Sequence, residues 1–405
     1  MQMNRQKLLL LLIVGVVVAI AIFLWTDKSE ISDSSNNLQG KIQPPSRGFY
    51  LGQSESGAGD IKTFEKAVGQ KVALMPPYEI MSGVEEAGEG SLRFDVAAAE
   101  KAHKEGYIVW ASAYEATPAH KPFTVDNLLA GKYDAEFKTL AGQFRQFGKP
   151  MFFATMREVN GLLGEWMGGF GPNGDKDIGW AIQNNKGLAE FNSNNFPNSN
   201  LYQGLGKNDV CDGLERAVAA QRYYYNFFVE REGLKFLTFD TMAWAIPTNP
   251  QELGLPNSHE TKLLKSCDDL ELFLSLLKDH SDWISINWYL VRIAGESPIA
   301  EYLKYFQTDM NRIRNAKVNK PIIIAELGFC DPNKPEKVTA GLKELLGTAE
   351  VKGIVLWGSS VMAMASQDND PQFPDCLIRP DTAEAKVFKE IMVKNKDYFH
   401  SSIAK

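Results

Sequence analysis

Short apolar runs alternate with longer amphipathic stretches along most of this chain, the pattern of repeated βα units around a parallel sheet. The runs that read as buried strands are Gly48–Gly52, Lys71–Met75, Tyr107–Ala111, Met151–Thr155, Lys235–Phe239, Trp283–Asn287, Ile322–Ala325 and Gly353–Trp357. Between them, apolar positions recurring at helical spacing predict helices over Ala135–Phe147, Leu214–Glu230, Leu270–Lys278, Ile299–Arg314 and Glu336–Leu346. Several strands are introduced by a helix-stop or strand-start signal, as in Gly148-Lys-Pro150, Lys320-Pro321 and Lys352-Gly353. This spacing predicts a (β/α)8 TIM barrel over residues 48–400, and it disfavours the alternative, a doubly wound open sheet.

Ahead of the barrel the pattern changes. Leu8–Trp25 is an unbroken apolar run of 18 residues, preceded by Arg5 and Lys7. As a helix it spans roughly 27 Å, close to the thickness of a bilayer's hydrocarbon core. Residues 1–28 are therefore expected to form an N-terminal transmembrane segment, a signal anchor. The flanking cations favour a cytoplasmic N-terminus, with the barrel outside the cytoplasm, in the periplasm or at the cell surface. The competing reading is a signal peptide cut near Ala19-Ile-Ala21, which would leave a secreted protein, but apolar Ile22–Trp25 continue past that site. Residues 29–47 are polar, rich in Ser and Asn, and carry Pro44-Pro45; they read as a flexible linker, with structure beginning near Gly48.

Composition narrows the function. At 405 residues, 44% hydrophobic and 23% charged, the chain has the make-up of a globular protein large enough for one barrel with insertions. A net charge of −7 with no basic cluster argues against a nucleic-acid partner. Neither an H-E-x-x-H cluster, a G-x-S-x-G elbow nor a phosphate-binding G-x-x-x-x-G-K loop is present, so no metal or cofactor is implied. The four cysteines form no C-x-x-C motif. On the barrel mapping, Cys211 and Cys267 follow neighbouring strands, as do Cys330 and Cys376; each pair is either a disulfide across adjacent loops or two buried thiols.

Candidate chemistry lies at two strand ends. Glu158 follows the run Met151–Thr155, and Glu326 follows Ile322–Ala325. A barrel gathers the C-terminal ends of all its strands at one mouth, so residues far apart in sequence meet there. A facing carboxylate pair is the minimum equipment for splitting a glycosidic bond. The dull alternatives are a helix cap or surface ion pair for Glu158. For Glu326 a structural role is harder to find, because a buried strand end is a costly place for an unpaired charge. Asp240 and Glu115 are reserve carboxylates. Arg157 and Tyr289 are candidate hydrogen-bond donors to an ionised acid, Asn160 a candidate to orient the acid or a sugar hydroxyl, and Trp244 and Trp357 candidate sugar platforms. About 55 residues rich in Gly and Asn follow strand four, a length uncommon in a loop without function. Their aromatics Trp166, Phe170, Trp180, Phe191, Phe196 and Tyr202 either build sugar subsites or pack the loop down as a satellite core.

With those residues in place, a resemblance becomes specific. Gly131-Lys-Tyr-Asp134, Phe144, Gly148-Lys-Pro150 and Arg157-Glu-Val-Asn-Gly161 resemble the family-26 glycoside hydrolases, clan-A (β/α)8 enzymes that include β-mannanases. The resemblance implies that Glu158 is the general acid/base, and that Glu326, in Ala325-Glu326-Leu327-Gly328, is the nucleophile. It also matches Asp282–Tyr289 to the family's sixth strand and Trp357 to its eighth-strand Trp. The chain differs in having Arg157 where the family's mannanases typically have His, and Ala154 where they have Arg. The implied activity is a retaining endo-β-glycosidase acting on a polysaccharide or oligosaccharide. A catalytically inactive glycan-binding barrel and a transglycosylase are the alternatives.

Overall fold

A computed structural model describes residues 40–54, 58–75, 81–82, 93–112, 125–155, 193–206, 212–244, 269–290, 299–329, 335–357 and 383–401. Its strands are β1 (Phe49–Ser54), β2 (Met81–Ser82), β3 (Arg93–Phe94), β4 (Trp110–Ser112), β5 (Met151–Ala154), β6 (Leu237–Trp244), β7 (Trp283–Leu290), β8 (Ile322–Phe329), β9 (Val351–Trp357) and β10 (Phe399–His400). The helices are α1 (Ala58–Val68), α2 (Val96–Lys104), α3 (Val125–Leu129), α4 (Asp134–Phe147), α5 (Asp212–Tyr225), α6 (Leu270–Leu277), α7 (Ile299–Asn315), α8 (Pro335–Gly347) and α9 (Ala383–Lys394).

One sheet runs in the order β10-β1-β9-β8-β7-β6-β5-β4, with every pairing parallel. Leu74 bridges Gly52 on one side and Ile108 on the other, both in parallel. Residues 71–75 thus stand between β1 and the approach to β4, and the parallel strands fit a (β/α)8 barrel. The strand run expected at Lys71–Met75 is this segment. β2 and β3 form a separate antiparallel pair. The runs read as strands five, six and seven are longer than their apolar cores suggest, because ladder hydrogen bonds continue past the first polar residue. β6 extends to Trp244, β7 to Leu290 and β8 to Phe329.

Two apolar layers follow from the alternation of side chains along each strand. Phe153, Leu237, Phe239, Ile284, Ile286, Ile322, Ile324 and Leu356 belong to the layer shared with the helices. Tyr50, Leu74, Ile108, Trp110, Phe152, Ala154, Trp283, Ile323, Ala325 and Val355 form a second cluster inside the barrel. The interior is tight: a Cβ at Gly52 would stand 2.8 Å from the Leu74 Cβ and 3.0 Å from the Val355 Cγ2. Helix ends use ordinary devices. The Asp95 and Asp269 carboxylates accept from the amides of Ala98 and Leu272, capping α2 and α6. Gly148 closes α4 in a left-handed conformation with φ 60°, its N–H reaching the Phe144 carbonyl, before Pro150 leads into β5.

The floor of the barrel corrects one expectation. Residues 40–47, assigned to a linker by their composition, are packed beneath the strands. Ile42 is fully buried in the interior cluster; its N–H donates to Thr238 Oγ1 at 2.7 Å and its carbonyl accepts from Trp283 Nε1 at 3.2 Å. Tyr50 donates its hydroxyl to the Gln43 carbonyl at 2.7 Å. Lys41 reaches both carboxylate oxygens of Asp282, at 2.8 and 2.7 Å, and Asp282 also accepts the Phe239 N–H. Composition misled here because two residues, Lys41 and Ile42, find complementary partners only once the strands are assembled. The Lys41–Asp282 pair is buried, with side chains 5% and 8% exposed. Lys41→Ala should therefore cost about 3–5 kcal/mol by leaving the Asp282 charge buried without its cation. Urea denaturation measures this, and a loss below about 1 kcal/mol, the range of an exposed ion pair, would show that the strap contributes little.

Among the described residues no helix is long and apolar enough to cross a membrane; the run Leu8–Trp25 lies outside them. So do Cys211, Cys267, Cys330 and Cys376.

Candidate active site

β5 through β9 run parallel, so their C-terminal ends share one side of the barrel. Trp244 ends β6, Tyr289 is next to last in β7, and Trp357 ends β9, each placed here by backbone register alone. Arg157, Glu158, Asn160 and Trp166 lie outside the described residues, as does Glu115. The chain leading to Glu158 is nonetheless anchored. Thr155, 1% exposed, donates its hydroxyl to Gln221 on α5, and the Gln221 amide donates to Thr241 Oγ1 on β6 at 3.2 Å.

Glu326 is 4% exposed and lies midway along β8. Strict alternation would turn it outward: Ile322 and Ile324 face the helices, whereas Ile323 and Ala325 face the interior. The ladder breaks this alternation. Ile286 pairs with Ile324, but the next residue, Asn287, pairs with Glu326, which leaves Ala325 as an extra residue on β8. On the other edge, Ile324 pairs with Ile354 and Leu327 with Leu356, so Ala325 and Glu326 together oppose Val355. This is a β-bulge, and bulges re-aim side chains in this way. Leu327 returns to the helix-facing layer, so both Ala325 and Glu326 face the interior. The bulge thus delivers the carboxylate into the barrel.

The same register places Trp244, Asn287 and Glu326 in one row across β6, β7 and β8. Asn287 is fully buried. No sequence motif singled it out; its position opposite the bulge is a property of strand pairing. Tyr289, two residues further along β7, is in register with Gly328. Trp357 is in register with Ser54. Ala154, where the resemblance would lead to Arg, is 1% exposed in the interior cluster.

Asp240 needs correcting from strand end to mid-strand, since β6 continues to Trp244. It alternates with Leu237 and Phe239 of the outer layer and so faces inward, where it is fully buried. Ser285 Oγ donates to its Oδ2 at 2.6 Å, while Oδ1 has no partner among the described residues. Burial pushes this carboxyl up to about 7, against the smaller opposing pull of the Ser285 hydrogen bond. The barrel interior therefore holds a carboxylic acid that keeps its proton in mildly acidic solution, deeper along β6 than the row containing Glu326. Of the loop aromatics, Phe196 and Tyr202 resolve to packing. Tyr202 is fully buried, with ring centroids 6.1 Å apart in an edge-on contact, and Phe196 is packed against the outer core layer. Trp166, Phe170, Trp180 and Phe191 lie outside the described residues.

Solved structures share this architecture. A GH26 β-mannanase from Bacteroides ovatus aligns over 91% of this chain and 93% of its own, with 10% identity and a TM-score of 0.50. Native xylanase 10B from Thermotoga maritima aligns over 86% of this chain and 96% of its own, with 14% identity and a TM-score of 0.50. No protein-family model and no curated protein sequence matches the chain. At these identities the likeness establishes the fold alone: a barrel like those of this GH26 β-mannanase and this xylanase, the fold that the resemblance read from the motifs implies. The chemistry rests on the residues of the chain itself.

Proposed function

We propose that this chain is a retaining endo-β-glycosidase that cleaves a β-linked polysaccharide outside the cytoplasm. The observation that carries the reading is the bulge in β8, which turns Glu326 into the barrel within the strand half that leads to the mouth. Glu326 is the nucleophile. Its carboxylate attacks the anomeric carbon while Glu158 gives its proton to the departing glycosidic oxygen, forming a glycosyl-enzyme ester. Glu158, now a carboxylate, takes a proton from water. The water oxygen bonds to the anomeric carbon, and Glu326 leaves as a carboxylate. Retention calls for the two carboxyl groups to stand about 5–5.5 Å apart.

Trp244, Tyr289 and Trp357 belong to strand ends on the mouth side, which supports their assignment as sugar contacts, with Arg157, Asn160 and Trp166 completing the set. The mannanase and xylanase names of the structural neighbours point to mannan or xylan as the first glycans to try. The apolar run Leu8–Trp25 supports membrane anchoring, with secretion following if that run is cut.

Incubating the full chain with mannan, xylan, mixed-linkage glucan and bacterial exopolysaccharides tests the reading. Reducing ends should appear, and proton NMR of the first-formed product should show the β-anomer. Products longer than the substrate would identify transglycosylation through the same ester. Saturable binding with no release on any glycan would instead favour a glycan-binding barrel, the reading to which Ala154 in place of the family's Arg lends support.

A further inference from the structure

We propose that Asn287 is a positioning residue that holds Glu326 ionised and aimed, by donating its carboxamide N–H to the carboxylate. This deepens, and rests on, the reading of Glu326 as the nucleophile. The two residues are Cα partners in a parallel ladder, where neighbouring strands lie about 4.8 Å apart. Trp283 faces the interior and Ile284 and Ile286 face the helices, so Asn287 is on the inner face, where the bulge also puts Glu326. Side chains of paired residues on one face of a sheet touch. Both are withdrawn from water, with Asn287 0% and Glu326 4% exposed.

A carboxylate this deeply buried stays ionised only if donors replace the lost water; otherwise burial raises its pKa and it takes up a proton. A protonated Glu326 would be neutral and a far weaker nucleophile. On the inner face beside it, Ala325 and Val355 offer no donor. The Asn287 carboxamide carries two N–H bonds and does not titrate, so it supports the anion equally at every pH. The other titratable groups on the inner face, among the described residues, are Asp240 on β6 and Tyr50 on β1, whose hydroxyl is engaged with the Gln43 carbonyl at the floor. Tyr289 follows two residues later on β7. The inner residues of β5, Phe152 and Ala154, and of β9, Gly353 and Val355, carry no charge.

The test needs no substrate, so it can fail independently of the hydrolase reading. The full-length chain is labelled with 13C at the glutamate carboxyl carbons, and the Glu326 resonance is identified by its loss in Glu326→Gln. Its titration is then followed in the parent chain, in Asn287→Leu, which keeps the shape and removes the donor, and in Asn287→Asp, which adds a like charge. Both variants should raise the Glu326 midpoint by about one unit or more, a tenfold change in its ionisation constant. A midpoint that stays within about 0.3 unit of the parent value in a folded Asn287→Leu protein overturns the proposal. If Asn287→Leu does not fold, Asn287→Ala, which removes the donor and adds no charge, decides by the same criterion. A merely structural asparagine would change stability and leave this midpoint where it was.

Discussion

Glu326→Ala should lower the rate of β-glycan cleavage by on the order of 10⁴-fold or more, because the residual activity would come from binding and acid assistance alone. Glu158→Ala should show a different signature. Loss of a general acid costs about 10²–10⁴-fold, and most for leaving groups that need a proton. With an aryl glycoside whose leaving group departs unaided, the Glu158 variant should form the glycosyl ester and stall. Azide should then accelerate it and give a β-glycosyl azide. In Glu326→Ala, azide enters from the vacated face, and the product should be the α-glycosyl azide. Initial rates on polysaccharide together with NMR of the azide products separate the two roles. Wild-type cleavage rates in Glu326→Ala would remove Glu326 from the mechanism and the hydrolase reading with it.

Asp240→Asn should flatten the dependence of stability on pH. The carboxyl's proton is held up to about pH 7 in the folded protein, against an ordinary value of 3.8 in the unfolded chain. Between those values the folded state binds a proton that the unfolded state has released, so unfolding free energy falls as pH rises. The contribution is fully present below about pH 4, is lost on the way to pH 7 and stays lost above it. The shift corresponds to about 4 kcal/mol. Asn keeps the shape and the acceptor for Ser285 but binds no proton. The gap between variant and parent in unfolding free energy, from urea titrations at pH 4 and pH 8, should therefore change by about that amount in favour of Asn at the higher pH. Other titrating groups are common to both proteins and cancel. A gap that is the same at both pH values would mean that Asp240 is ionised in the folded protein throughout. Outcomes for Asp240 and Glu326 are separable: Asp240 has no role in bond cleavage here, so its variant should retain the pattern of products.

The two buried acids illustrate how one barrel gives like groups different lives. Asp240 sits deep, with one hydroxyl donor and, among the described residues, no partner for its other oxygen, and keeps its proton in mildly acidic solution. Glu326 stands four residues nearer the mouth in strand terms, since its row contains Trp244 rather than Asp240. There it has Asn287 for a partner. The environment assigns the proton.

Most of the scaffold was legible from local pattern. Apolar runs marked the strands because a strand covered on both faces must be apolar along its length. Gly148 and Pro150 marked the passage from α4 to β5 because each has its own backbone constraint. Helix spacing found α4 through α8, while α1, α2, α3 and α9 were not singled out. Glu326 was conspicuous as a charge closing a run of Ile and Ala. These signals are local, and a reader of residues in order can detect them.

What pairing and packing added lies between segments. A residue-by-residue alternation from Ile322 turns Glu326 toward the helices, and only the register against β7 and β9 reveals the extra residue that turns it inward. Asn287 gains its place opposite that carboxylate from the same register, and residues 40–47 become part of the barrel through contacts with Thr238, Trp283 and Asp282 across the chain. Phe196 and Tyr202 were undecided between sugar and core until the core was built around them. Propensity and periodicity are carried by neighbours in the chain, whereas the face a strand residue presents depends on its partner strands, and one inserted residue reverses it.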